Sequence, residues 1–335
     1  MYRELGSKRL RSGETITLAV VEAPDAEFDS CILTLLAHKG GAWDHHMREA
    51  LSGRADALET RWYLAFMGAQ PVANAMVVER HGVGILGHVF TQEAHRQKGI
   101  CSAVLHELMT DFQARRGLSL LLGTGYESVA YRIYESFGFR SIREGFMGWY
   151  ATSRADFEMR WFAAGEASVS AARWEHWPLV AALASFPERG GLRSSAWGIR
   201  DIANLEGPYC HFMARRAEPG YAACMATTQT GAVVACATCV PFRIGESDRA
   251  WKDTWLVDAF AHPLHQYKLA EVLGSLPLPP GKAIALAPDT DDARRAALIE
   301  AGFEREGVLA GMLESDGIPA AVAVYGRYVP SAAIV

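Results

Sequence analysis

Along the chain the spacing of apolar positions changes period, and each change marks an element. Ile16, Leu18 and Val20 alternate within residues 15–21, the period of a strand with one buried face. Phe28, Ile32, Leu35 and Leu36 then recur at helical spacing, and residues 43–51 read as a second short helix. Strands follow at 61–67 and 72–79, joined by the turn-like Gly68-Ala69-Gln70-Pro71, with another over Val83–Thr91. From Ser102 onward, Val104, Leu105, Leu108, Met109 and Phe112 share one helix face. Residues 118–122 form a short apolar strand. Ala130, Ile133, Tyr134 and Phe137 make the next helical stripe, and Gly138 is placed to end it. Residues 146–151 close the series as a strand. The order β-α-α-β-β-β-α-β-α-β-β starts with antiparallel strands and ends with one strand–helix–strand crossover. It predicts an α/β fold of the α+β kind: a mixed, mostly antiparallel sheet flanked by helices.

A similar order recurs downstream. Residues 169–174 read as a strand and 178–186 as a helix. Residues 221–228 and 232–241 form a hairpin across Gly231, and 254–261 are a further strand. A helix at 267–276, a strand at 283–287 and a helix at 291–301 complete the set. Ser136-Phe137-Gly138-Phe139 and Glu300-Ala301-Gly302-Phe303 occupy the same place in the two series. Two copies of one fold are expected, at residues 1–155 and 165–335, with 152–165 as the linker.

Composition narrows the class. Half of the residues are apolar and 21% are charged, so a packed core is expected and disorder is not. The net charge of −5 gives no basic footprint, so no nucleic-acid partner is expected. No uncharged apolar run approaches the ~18 residues that span a bilayer, so no membrane partner is expected either. No apolar segment of the signal-peptide kind follows residues 1–11. Cys236 and Cys239 have metal-like spacing but sit in an apolar run with no second pair, and read as buried strand thiols. The expectation is a cytoplasmic protein with reduced thiols and no metal, as a monomer or homodimer.

The chemistry concentrates in Arg96-Gln97-Lys98-Gly99-Ile100-Cys101-Ser102, between the strand ending at Thr91 and the helix starting near Ser102. A helix N-terminus offers unpaired N–H groups and partial positive charge, and a glycine there lets backbone approach an anion. Arg96 and Lys98 add two cations, and a diphosphate suits the combination. Taken alone, the same loop also suits an ordinary strand–helix connection with solvated cations.

The loop resembles the pyrophosphate-binding motif of GNAT N-acetyltransferases, Arg/Gln-x-x-Gly-x-Gly/Ala. Arg96 and Gly99 match it, while Cys101 stands where Gly or Ala is usual. Residues 89–96 resemble the family's strand-to-loop lead-in, and Ile133-Tyr134-Glu135-Ser136-Phe137-Gly138-Phe139 is similar to its Leu-Tyr-x-x-x-Gly-Phe signature. The resemblance covers roughly residues 15–150. It implies two tandem GNAT folds, with acetyl-CoA as cosubstrate and a small-molecule primary amine as acceptor, acetylated by direct attack. Backbone groups of Val89, Phe90 and Thr91 would hold the pantetheine arm in a V between diverging strands. Amides of Gln97, Lys98, Gly99, Ile100, Cys101 and Ser102, with Arg96, would hold the diphosphate. Tyr134 matches the acid that protonates the leaving thiolate. On spacing alone it reads first as a core aromatic, on the stripe with Ala130, Ile133 and Phe137.

The family's glutamate base has no counterpart, since the aligned position is about Ile85. His88 is the expected base, with Glu79 and His81 as alternatives. Strand alternation sets His88 on the face opposite Val89 unless a bulge intervenes. His45 and His46 fall in the segment that shapes the acceptor pocket in this family, and read as exposed helix histidines. Cys101, beside a helix N-terminus, could have a lowered thiol pKa, but a packing role is expected. In the second copy, Arg96, Gly99 and Cys101 fall opposite Gln266, Leu269 and Glu271, and Tyr134 opposite Leu298, so a degenerate domain without a cofactor site is expected. His262 and His265 read as turn residues near Pro263. A non-catalytic acyl-CoA sensor, or an enzyme using a longer acyl group, remains open.

Overall fold

The computed structural model describes residues 1–187, 192–243, 250–315 and 318–331. The first sheet has the order β1-β2-β3-β4-β5-β6-β8-β7. Its strands are β1 (Tyr2–Arg9), β2 (Thr15–Glu22), β3 (Glu59–Met67), β4 (Gln70–Arg80), β5 (Val83–Thr91), β6 (Ser119–Gly123), β7 (Arg140–Arg143) and β8 (Phe146–Tyr150). Only β5 and β6 run parallel; the other neighbours are antiparallel. Helices α1 (Asp29–Leu35) and α2 (Gly41–Leu51) connect β2 to β3, α3 (Ile100–Ala114) connects β5 to β6, and α4 (Val129–Ser136) follows β6. Strand β1 is an addition to the expected order. Almost all of its residues are exposed, so it carries no buried period for a reader of the sequence to find.

Residues 152–165 are not a bare linker, because α5 (Arg154–Trp161) lies within them. Beyond it the second sheet has the order β14-β15-β13-β12-β11-β10-β9. These strands are β9 (Ala167–Ala171), β10 (Ala222–Thr228), β11 (Val233–Arg243), β12 (Ala250–Ala261), β13 (Gly281–Pro288), β14 (Glu304–Ser315) and β15 (Ile318–Val329). Read as β2 to β8 once more, they repeat the first sheet strand for strand, including its single parallel pair, β12 with β13. The helices repeat as well. Helices α6 (Trp177–Ala184) and α7 (Glu206–Arg215) precede β10, α8 (Leu269–Gly274) lies between the parallel strands, and α9 (Asp292–Glu300) follows β13. The α/β fold therefore comprises two GNAT-like sheets, each flanked by helices.

The compact units do not follow the sequence order strictly. One comprises residues 1–157 together with 173–182 and 209–214; the other comprises 158–172, 183–208 and 215–335. In the first, Ile100, Val104, Leu108 and Phe112 of α3 pack on Leu18, Val20, Val77 and Leu120 of the sheet. Each such side chain contributes about 1.5–3 kcal/mol when fully buried, which fixes the start of α3 against the end of β5. In the second, Cys236 and Cys239 are buried and unbridged, and burial pushes the Cys239 thiol up to about 12. Among the described residues no group of three or more His, Cys, Asp or Glu could hold a metal ion, and no helix is long and apolar enough to cross a membrane.

Candidate active site

Strands β5 and β6 pair at only three positions, Val83 with Ser119, Gly84 with Leu120 and Ile85 with Leu121. Beyond Ile85 that ladder stops, while β5 stays on β4 through Thr91. The parallel pair thus splays into a V, and one edge of β5 from Leu86 onward faces the opening. The register with β4 slips between Asn74, opposite Phe90, and Met76, opposite Gly87, so β5 carries one extra residue. That bulge contains His88, whose φ is +50°, and the His88 carbonyl accepts a hydrogen bond from Asn74 Nδ2 at 2.9 Å. A bulge re-aims the strand, so the simple alternation between His88 and Val89 does not hold.

A cleft of about 600 Å³ occupies the V. Val89, Phe90 and Thr91 line it from β5, and Arg96, Gln97 and Gly99 from the loop. Ile100, Cys101 and Ser102 add the first turn of α3, and Tyr134 stands on α4 across from them. The structure thus brings together every expected binding residue except Lys98, which is paired instead with Glu14 at 3.1 Å. Arg96 stays at the cleft, its Nε donating to the Thr91 carbonyl at 3.1 Å. Of the two cations expected to face phosphate, Lys98 ties the loop to Glu14, and Arg96 ties it to the end of β5.

The positive end is made by backbone. Gln97 has φ +62°, and Gly99 has φ +80° and ψ 9° as the residue before α3. Left-handed residues set between ordinary ones turn successive N–H groups to one side, forming an anion-binding nest. No side chain caps α3, so its first N–H groups are left to a ligand. A Cβ built on Gly99 would meet nothing within 4 Å, which shows the space in front of the nest to be open. The loop therefore fits a diphosphate on its own geometry. Cys101 is not activated by its place at the helix start: burial raises its thiol pKa, in keeping with a packing role.

Tyr134 satisfies both of its readings. It is 7% exposed and packs edge-on to Phe139 at 6.0 Å, and it also faces the cleft. Helix α4 holds it there, started by Ser128, whose hydroxyl accepts from the Tyr131 amide at 3.1 Å.

His88 departs from its expected role. It is 5% exposed, and burial, with Lys39 and His38 nearby, pushes its pKa down to about 3. An imidazole that weak does not hold a proton taken from an alkylammonium near neutral pH, so the base role expected of it is corrected on that ground. The alternatives fare no better. Glu79 sits opposite Gly84, at the closed end of the V, buried between Arg61 and Arg115. His81 occupies the turn before β5 with φ +53°.

His46 is wholly buried rather than exposed, and burial holds it well below its ordinary value. Its ring lies 5.2 Å from Trp174 and 4.9 Å from Trp177. Trp177 in turn meets Trp43 at 6.4 Å, and Trp43 stands edge-on to His88 at 5.3 Å. These tryptophans were missed in the sequence. The His45-His46 doublet signalled the place, but residues 173–182 pack into the first unit from beyond the expected boundary.

The corresponding loop of the second unit is built differently. Leu269 is 2% exposed with φ −59° and ψ −45°, right-handed where Gly99 is left-handed. Glu271 pairs with Lys268 at 2.6 Å, and Leu298 is buried. Strands β12 and β13 pair at four positions, to Val257. His262 accepts from the Leu264 amide at 3.3 Å, and His265 Nε2 lies 3.2 Å from the carbonyls of Phe162 and Ala163, so both histidines serve the turn.

Residues 65–147, from within β3 into β8, match the family model described as FR47-like protein. The matched segment spans the bulge, the loop and Tyr134, and its GNAT-related family agrees with the fold and the cleft of the first unit. No curated protein matches the chain. Among solved structures, yncA of Salmonella typhimurium, a proposed acetyltransferase with its cofactor acetyl-CoA, is 16% identical over 50% of this chain and 97% of its own, with a TM-score of 0.41. A GNAT superfamily phosphinothricin acetyltransferase of Sinorhizobium meliloti, in complex with AcCoA, is 15% identical over 51% and 92%, with a TM-score of 0.37. A ribosomal-protein-alanine N-acetyltransferase of Brucella melitensis is 17% identical over 48% and 99%, with a TM-score of 0.37. At these values the likenesses establish no activity for this chain.

Proposed function

We propose that the first unit is an N-acetyltransferase, with acetyl-CoA as donor and the primary amine of a small molecule as acceptor. The observation that carries this reading is the open V between β5 and β6 ending on the left-handed loop before α3. Backbone groups of Val89, Phe90 and Thr91 face the opening as a sheet edge and would hold the pantetheine arm. Amides of residues 97–102 would hold the diphosphate, and Arg96 keeps that loop tied to Thr91. When bound, acetyl-CoA supplies a thioester open to direct attack. Tyr134, across the cleft, would give its phenolic proton to the leaving sulfur; a phenol and a thiol titrate close enough for that exchange to be easy. The second unit, whose Leu269 is helical and buried, would carry no cofactor and serve a structural part in a cytoplasmic protein.

The test is thiol release from acetyl-CoA in the presence of an amine panel, with mass-spectrometric detection of the amide. Binding of coenzyme A without thiol release from any amine would favour the acyl-CoA sensor, for which the weakness of His88 as a base is the supporting observation. Release only from longer acyl-CoAs would change the donor and keep the class.

A further inference from the structure

We propose, on the cofactor reading above, that the mouth of the cleft also takes the nucleotide end of coenzyme A, with the purine packed on Val129 at the start of α4. Val129 is then a binding determinant for the adenosine part of the donor, which neither the β5 edge nor the loop before α3 accounts for.

Topology puts Val129 at the end of the sheet where the diphosphate would lie. Strands β5 and β6 run parallel, so both finish on the same side, β5 at Thr91 and β6 at Gly123. The connections that leave them start α3 at Ile100 and α4 at Val129, and both of these residues line the cleft. Ser128 fixes the first turn of α4, its hydroxyl accepting from the Tyr131 amide at 3.1 Å, so Val129 is held in place rather than frayed.

Exposure changes along the same helix. Val129, Ala130, Ile133 and Tyr134 share the face of α4 that lines the cleft. Tyr134 is 7% exposed, Ala130 and Ile133 are half-buried against the core, and Val129 is 79% exposed. At about 1.5 Å of rise per residue, Val129 stands about 7.5 Å along the axis from Tyr134. The apolar wall thus runs from a covered end at the tyrosine to an open end at the valine. A lone exposed valine is ordinary on a protein surface. This one continues the wall of a cleft whose other lining residues are already assigned to a cofactor.

The parts of coenzyme A then fall in order. The amides of the pantetheine arm suit the β5 edge, and the diphosphate suits the left-handed loop. Beyond the diphosphate comes adenosine 3′-phosphate, whose purine is the one flat group on that side. A purine face asks for apolar or aromatic contact and not for a hydrogen-bonding partner. An isopropyl group meets that need, and water leaves both surfaces when they join. The competing apolar group is the pair of methyls on the pantoate of the arm. They lie on the other side of the diphosphate, so the two occupants can be told apart by a truncated ligand.

The experiment measures calorimetric affinities of the full chain and two variants for two ligands. One is coenzyme A. The other is 4′-phosphopantetheine, which keeps the arm and one phosphate, lacks the nucleoside, and is titrated by its displacement of coenzyme A. Val129→Ser removes the apolar contact and should weaken coenzyme A about fivefold. Val129→Phe offers a ring for the base to stack on and should tighten coenzyme A about tenfold. In both variants 4′-phosphopantetheine should move by less than about twofold. The position is exposed, so circular dichroism should be unchanged in both.

Equal shifts for the two ligands would put the pantoate methyls on Val129 in place of the purine. Unchanged affinity for coenzyme A in both variants would leave the nucleotide in solvent. Either result overturns the assignment of Val129 and leaves cofactor binding standing. No binding of coenzyme A by the wild-type chain would overturn the reading of the cleft itself, and the assignment with it.

Discussion

Acidification from about pH 7 to about pH 5 should remove on the order of 2 kcal/mol of stability through His88, with His46 acting in the same direction. His88 is held down to about 3 and His46 well below its ordinary 6.5, in both cases chiefly by burial. Well above pH 6.5 folded and unfolded chains both keep these rings neutral, and through them stability does not change. Below it the unfolded chain takes up protons that the folded one refuses. Stability therefore falls as pH drops from the unfolded value toward the folded one, by about 1.4 kcal/mol per pH unit for each ring. The first half-unit is lost to the curvature near 6.5, leaving about 2 kcal/mol for His88 at about pH 5. Glu79 acts in the opposite sense, since burial raises its carboxyl pKa, and a comparison of variants cancels it. The assay is urea unfolding at several pH values followed by tryptophan fluorescence, because Trp43, Trp174 and Trp177 surround the two rings. His46→Leu/His88→Leu should be less stable than wild type near neutrality and lose less on acidification. Parallel pH dependences in the two proteins would refute the reasoning.

Three further outcomes follow from the cleft. Gly99→Glu forces a left-handed residue with a side chain, and sets a carboxylate where the nest would meet diphosphate; coenzyme A affinity measured by calorimetry should fall at least ~100-fold while circular dichroism is unchanged. Tyr134→Phe should leave that affinity nearly intact and slow acyl transfer ~10²–10⁴-fold, with a rate within about twofold of wild type returning Tyr134 to a packing role. Calorimetric titration of the whole chain should give about one coenzyme A per chain, whereas a second equivalent would show the second loop to be competent.

What could be read in the sequence was what has a period or a turn. Strand β5 was legible from end to end because apolar residues run into a loop of distinctive composition, and α4 because four residues share a stripe. Strand β1 was not, since nearly all of it is exposed, and it is held by pairing with β2 together with the stack of Tyr2 on Phe28 and the ion pair of Arg3 with Asp111. The bulge was foreseen only as a condition, because no residue type announces a positive φ at histidine. The pairing of Lys98 was hidden for a related reason. Sequence gives the sign of a charge and its neighbours along the chain, but Glu14, its partner, lies in the turn before β2. The burial of His46 was hidden by the tryptophans at 174 and 177, which pack against α2 from the far side of α5.

The two copies show how few positions separate an open left-handed loop from a plain connection. Both put a helix after the parallel strand, and both begin it near the same aligned residue. In the first, glycine at 99 adopts the left-handed conformation and leaves the space before the helix empty. In the second, leucine at 269 has a side chain to bury; it takes the right-handed conformation and sits 2% exposed in the core. That choice removes the left-handed turn of the amides. The parallel ladder extends to four pairs there instead of three, so the strands stay together further along their length. The left-handed turn and the shortened ladder therefore fit one device: the turn aims the donors, and the early end of pairing leaves room for the ligand proposed for them.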